Sequence, residues 1–140
     1  MDKIQATILN LRLKKLKKVI RKRRTNAKLY FKELSNLKNI LLPKERKNYF
    51  HTYHTFVIQA DRRNRLKKYL EKKGISTKIH YPYLIFEQEA YKDRFENIDL
   101  KKFPISRNLN KKILTLPNNQ YMTKKEIKKI CLEIKNFYKS

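Results

Sequence analysis

His80-Tyr81-Pro82 is the group of neighbouring side chains in this sequence best suited to hold a ligand. A neutral imidazole and a phenol can each hydrogen-bond a phosphate, a hydroxyl or a carboxylate. They stand where an extended segment meets a proline and a long irregular stretch begins, a position from which a rigid element presents polar groups. The plainer alternative is that His80 caps the strand end beside a half-buried Tyr81. Other candidates are poorer. His51 and His54 sit at the mouth of an extended segment, where residues i and i+3 point to opposite faces. The 12 carboxylates are scattered, and Glu87 with Glu89 lacks a context that would make one an acid and the other a base, so both read as solvated counter-charges. Cys131 is the one cysteine; it excludes an internal disulfide and a Cys/His zinc module, and reads as a small apolar helix residue. Gly74 is the one glycine, so the phosphate-cradling loops GxxxxGK[ST] and GxGxxG are absent. A cofactor phosphate would have to be held by side chains or by another polypeptide.

The elements that must position these groups are legible from periodicity. Leu9, Leu13, Leu16, Ile20, Ala27, Phe31 and Leu34 recur at intervals of three, four or seven, with Ile4, Ile8 and Leu11 widening the stripe, and predict a helix over Asp2 to Leu37. At 1.5 Å per residue that helix runs about 50 Å, longer than a domain of this size needs for its own core, so it leans on something else. Thr52 to Ile58 reads as a strand, and Asp61 as the N-cap of a helix through Lys73 that Gly74 ends in the left-handed conformation. Ile75 to Tyr81 reads as a second strand stopped by Pro82. Tyr83 to Phe103 is irregular, with a short helical turn near Gln88 to Lys92. Pro104 starts a helix through Lys112, Ile113 to Leu116 is a third strand, and Thr123 with Glu126 forms a capping box for a last helix with Ile127, Ile130, Cys131, Ile134, Phe137 and Tyr138 on its buried face. The sum is an α+β fold: a long N-terminal helix, then a small, mainly antiparallel sheet covered by helices.

Charge and composition bound the rest. The chain has 140 residues, 37 Lys and Arg against 12 Asp and Glu, and a net charge of +25. With 40% hydrophobic residues it carries too much apolar material for a disordered tail. No apolar run is long enough to span a membrane and none resembles a signal peptide, so a cytoplasmic protein without a membrane partner is expected. The charge would suit a nucleic acid. However, it is spread over every helix as 27 Lys and 10 Arg beside 12 Asn and 14 Ile, a chain-wide bias that disfavours a nucleic-acid partner, and no ribonucleoprotein or helix-turn-helix motif is present.

Segments in order along the chain resemble the C-terminal part of the DegT/DnrJ/EryC1/StrS family of sugar aminotransferases. Met1 to Leu9 (MDKIQATIL) is similar to the family's RM(D/S)xxQAAxL, and Lys18 to Tyr30, with Arg23, Arg24 and Ala27, to its xxRRxxxAxxY. His54 to Ile58 (HTFVI) is similar to HxYVI. Gly74 to Pro82 (GISTKIHYP), continuing to Gln88–Tyr91, resembles GIxTxxHYPxPLHxQxxY. Phe103-Pro104, Ile113 to Pro117 (ILTLP) and Thr123 to Glu126 (TKKE) follow FPxAExxxxxxLSLPxxPxLTxxE. The resemblance implies a fold-type I enzyme using pyridoxal phosphate (PLP) to move an amino group, from glutamate, to a keto-sugar carried on a nucleotide. It implies that residues 1–40 are the helix connecting to a large PLP-binding domain and that 41–140 are the small C-terminal α+β domain. The Schiff-base lysine, its aspartate partner and most of the phosphate cup would lie on that large domain, so no catalytic or cofactor-binding residue is assigned to this chain, and alone it should bind no PLP and be inactive. His80 and Tyr81 would lie near the active-site mouth as substrate-binding residues. The histidine of the family's PLHxQ is Phe86 here, which removes a polar substrate contact. The partners implied are the large domain or a homodimer mate; the alternative is a separately encoded large domain that docks along the apolar stripe of residues 4 to 34.

Overall fold

A computed structural model describes residues 2–91, 93–95 and 98–139. Met1 of the first quoted motif, Lys92 of the expected short turn and the Glu96 carboxylate lie outside them. The first helix, α1 (Lys3–Leu34), is capped by the Asp2 side chain and ends at Ser35, whose N–H bonds the Phe31 carbonyl. This is three residues short of Leu37, because the chain turns back at once through a Leu37 N–H to Leu34 carbonyl bond of 3.1 Å. There follow β1 (Ile40–Leu41), β2 (Phe56–Ala60), α2 (Arg63–Lys72), α3 (Pro104–Lys112), β3 (Ile113–Leu116) and α4 (Lys124–Lys139). The strands form one antiparallel sheet in the order β1-β2-β3, with Ile40 opposite Ala60 and Phe56 opposite Leu116. The α+β architecture, with its long first helix, is thus the one the sequence predicts.

Alternation along β2 buries Phe56, Ile58 and Ala60, which meet Ala27, Tyr30 and Leu34 of α1 and Ile127, Ile130, Ile134 and Phe137 of α4 in one core. Tyr30 stacks on Phe56 at 4.8 Å between ring centroids. Its hydroxyl donates to the Pro117 carbonyl at 2.7 Å, so the buried phenol leaves no polar atom unpaired. Cys131 packs in this core, and burial pushes its thiol up to about 12. The capping box forms as expected: the Thr123 N–H and hydroxyl both donate to Glu126 at 2.7 Å, and the Glu126 N–H returns a bond to Thr123.

Three sequence expectations are corrected. The first strand begins at Phe56 rather than Thr52. Tyr53 sits at a positive φ of 50°, its N–H donates to the His51 ring, and its carbonyl accepts from Asn118, so side chains rather than a ladder fix the stretch before Phe56. Asp61 does not cap α2: Arg62 intervenes in the left-handed region at φ 53°, and the Asp61 carboxylate lies 4.0 Å from the Lys112 amine instead. The segment from Ile75 to Tyr81 is no full strand. It pairs with β3 only at Lys78 and Thr115, although Ile75 and Thr77 point inward as a strand's would. Gly74 does take the left-handed conformation, at φ 72°. The irregular stretch contains 3-10 turns at Ile85–Glu87, Glu89–Tyr91, Asp93–Phe95 and Leu100–Lys102. Among the described residues no helix is long and apolar enough to cross a membrane.

Candidate functional site

His80 and Tyr81 lie where the Ile75–Tyr81 segment leaves β3. The bridge at Lys78 and Thr115, with backbone bonds of 3.2 and 2.7 Å, fixes this segment two residues before His80. The half-buried imidazole then rests on β3, with its Nδ1 3.0 Å from the Thr115 hydroxyl. A hydroxyl can donate to or accept from that nitrogen, so the contact fixes the ring's position with either imidazole tautomer. Tyr81 is 73% exposed, with its ring set edge-on to His80 at 5.6 Å. Its side chain is presented to solvent while its backbone is held, because Asn110 on α3 donates to the Tyr81 carbonyl at 2.9 Å. Two residues beyond the motif therefore position the pair: Thr115 orients the imidazole and Asn110 fixes the backbone after it. Neither was singled out by sequence reasoning, since both contacts join segments about thirty residues apart and no local spacing encodes them.

The loop that follows is held by its own contacts. Phe86 packs against Phe103 at 5.1 Å, and the Glu87 carboxylate accepts from the Leu84 N–H at 2.9 Å. Glu87 is thus a local brace rather than a free counter-charge. Phe86 contributes an apolar contact at the position where the related motif has a histidine. Tyr83 and Ile85 are exposed on the same loop, beside Tyr81 in sequence.

The remaining polar clusters are structural. Arg24 of α1 forms a two-pronged pair with Glu45, at 2.7 and 3.2 Å, and lies over the Phe50 ring at 4.4 Å. Glu45 also accepts from the His51 N–H at 2.8 Å, and these two donors, Arg24 foremost, bring its carboxyl down to about 2. Arg23 donates to the His54 carbonyl, so the paired arginines strap the loop before β2 to the helix. His51 stacks on Tyr53 at 4.2 Å, and the His54 ring faces Arg23, whose guanidinium nitrogen lies 3.5 Å from its Nδ1. Deeper, Asn26 donates to Asn118 at 3.3 Å and to the Asn119 carbonyl at 2.8 Å, while Asn118 donates to the Tyr53 carbonyl at 2.9 Å. This network ties α1 to the segment after β3. Arg63 donates to the Asn110 and Ile113 carbonyls at 2.9 and 3.3 Å, satisfying the end of α3. No group of three or more metal-ligating side chains occurs among the described residues.

A profile of the DegT/DnrJ/EryC1/StrS aminotransferase family matches residues 1–135. The chain belongs to this family. A curated member, the dTDP-3-amino-3,6-dideoxy-alpha-D-galactopyranose transaminase of Aneurinibacillus thermoaerophilus, is 30% identical over 98% of this chain and 36% of its own length. The crystal structure of Streptomyces venezuelae DesV in complex with a ketimine intermediate superposes with a TM-score of 0.92 at 25% identity, covering 98% of this chain and 36% of that one. A DegT DnrJ EryC1 StrS aminotransferase from Brucella abortus gives 0.84 at 26% identity with the same coverage. The chain therefore spans about a third of the length of the relatives it matches, over their C-terminal part.

The family is PLP-dependent, which requires a lysine whose amine is held close to a carbonyl carbon and kept unprotonated by desolvation or a cationic neighbour. Among the described residues no lysine is buried.

Proposed function

We propose that this chain is the small C-terminal domain of a nucleotide-sugar aminotransferase, the whole enzyme passing an amino group from glutamate to a keto-sugar with PLP. The observation that supports this most strongly is the match of 98% of this chain, at 30% identity, to a dTDP-sugar transaminase of which it covers 36%. In this reading the amino transfer belongs to the PLP-binding part, and the chain alone has no transaminase activity. Its own contribution is to substrate binding. His80 Nε2 and the Tyr81 hydroxyl supply hydrogen bonds to the sugar nucleotide, with Thr115 and Asn110 as positioning residues. The α1 helix is the contact to the PLP-binding part.

The test is a pair of measurements. The purified 140-residue chain, given PLP, glutamate and a dTDP-keto-sugar, should develop no absorption band of a lysine-bound cofactor and no product. Bound to a family PLP-binding domain, the Tyr81→Phe chain should raise the keto-sugar KM about tenfold while leaving kcat near wild type, the size of one lost hydrogen bond. Turnover by the isolated chain, or an unchanged KM in Tyr81→Phe and His80→Ala alike, would refute the assignment.

A further inference from the structure

The loop between β1 and β2 carries two large rings that the core does not use. Tyr49 is 70% and Phe50 67% exposed. Among the described residues neither packs on another aromatic ring, and Phe50 is met only by the Arg24 guanidinium, 4.4 Å over its centroid. The loop is nevertheless held in place. Arg24 grips both ends of residues 45–51, with two bonds to the Glu45 carboxylate and one to the His51 carbonyl. Between them the Tyr49 N–H donates to the Arg46 carbonyl at 3.1 Å, and Asn48 takes the left-handed conformation at φ 69°, which asparagine tolerates in a turn. The rings thus stand in solvent on a braced turn, so a ligand would not have to order the loop on binding.

The charge around the rings is one-sided. Lys44, Arg46, Tyr49, Phe50 and His51 line, with Glu45, an open cavity of about 370 Å³. A second cavity of about 410 Å³ shares Lys44 and Glu45 and adds Lys28 of α1. Glu45, the one carboxylate lining either cavity, is taken by Arg24. Among the described residues no ion pair engages Lys28, Lys44, Arg46 or Lys47.

Uncompensated cations beside two rings with free faces suit a chain of phosphates that carries flat bases. An anionic bilayer would meet the same charges, but sinking Phe50 into it would draw the Arg24–Glu45 pair out of water. A base laid on the open face of Phe50 leaves that pair where it is, and the guanidinium then adds to the stack from the other side. An acidic peptide would satisfy the cations and leave the ring faces unused.

We infer that the loop between β1 and β2 is a binding site for a single-stranded polynucleotide. Consecutive bases stack on Tyr49 and Phe50, and Lys44, Arg46 and Lys47 hold the phosphates, with Lys28 continuing the track onto α1. The site rests on this loop alone. The lysines spread over the helices add affinity for any polyanion without choosing among them.

The test separates bases from charge. The 140-residue chain is titrated, by fluorescence anisotropy at about 0.2 M salt, with a labelled ten-nucleotide oligothymidine and with an abasic phosphodiester of the same length. The oligothymidine should bind at least about tenfold more tightly, the share of one stacked base. Tyr49→Ala and Phe50→Ala should each weaken oligothymidine binding by about tenfold and leave the abasic affinity unchanged. Both rings are exposed, and unchanged circular dichroism confirms that the variants fold; Phe50→Leu, which keeps apolar bulk without a ring face, should behave as Phe50→Ala does. Arg46→Gln with Lys47→Gln should reduce the slope of log affinity against log salt by about 1.4 for both oligomers. Lys124→Gln with Lys125→Gln, on the exposed side of α4, should leave the preference for bases intact. Equal binding of the two oligomers by wild type would overturn the site, as would a preference that survives the loss of both rings. Binding to vesicles of phosphatidylcholine and phosphatidylglycerol that needs Phe50, without any preference for oligothymidine, would replace it with a membrane contact.

Discussion

Replacing Asn26 by alanine removes the side chain that joins α1 to the segment after β3. Asn26 is 2% exposed, and its amide donates to Asn118 at 3.3 Å and to the Asn119 carbonyl at 2.8 Å. Asn119 is exposed, so water can replace its lost donor; Asn118 is buried, so its side-chain oxygen is stranded. A stranded buried acceptor together with one lost net hydrogen bond costs about 2–3 kcal/mol. For 140 residues the unfolding entropy is about 0.3 kcal/mol/K, so Tm should fall by about 7–10 °C. In urea the midpoint should fall at an unchanged m-value. Adding Asn118→Ala should cost less than the sum of the two single changes, by about 1 kcal/mol or more, since each single change has already broken the shared bond. A Tm within about 2 °C of wild type, or strict additivity in the double variant, would refute the network as a structural tie.

Three further outcomes follow from the same packing. The Glu45 carboxyl is lowered from 4.5 to about 2 by Arg24 and the His51 N–H, so its contribution is fully present above its ordinary range and is lost as pH falls from 4.5 toward 2. Urea midpoints measured across that window should therefore drop less steeply in Glu45→Gln than in wild type; parallel curves would contradict the pairing. The Cys131 thiol, pushed up to about 12 by burial, should resist a thiolate-specific disulfide reagent at neutral pH and react only in step with unfolding; prompt reaction of the native chain would show that the α1–α4 core is open. Thr123→Ala should cost about 1 kcal/mol in a denaturant melt by removing the α4 cap, and no loss would mean that the box is idle.

The parts of the fold written in short-range patterns were readable. Pro104 opens α3, Thr123 and Glu126 cap α4, Gly74 ends α2, and the apolar spacing of α1 gives its length to within a turn. Where residues distant in sequence decide the outcome, local propensity misleads. The β-branched and aromatic run from Thr52 extends no strand before Phe56, because Asn118 and the His51 ring claim the backbone of Tyr53. Asp61 has the side chain of an N-cap, yet the left-handed Arg62 turns it toward Lys112. The candidate site shows the same division: His80 and Tyr81 stand out as neighbours, whereas Thr115 and Asn110, which hold them, are invisible to any spacing rule. The apolar stripe of α1 was present in the residues themselves, but the exposure of its first half emerges only from the structure, in which the buried residues of that helix are Asn26, Ala27, Tyr30 and Leu34.

The most direct test of the account is reconstitution. The PLP-binding part of the Aneurinibacillus transaminase, without its C-terminal third, is mixed with this chain and assayed for glutamate-dependent amination of its dTDP-keto-sugar. The account predicts no product from either component alone and product from the mixture. Product from the chain alone, or a stable complex that forms and yet aminates nothing, would contradict it.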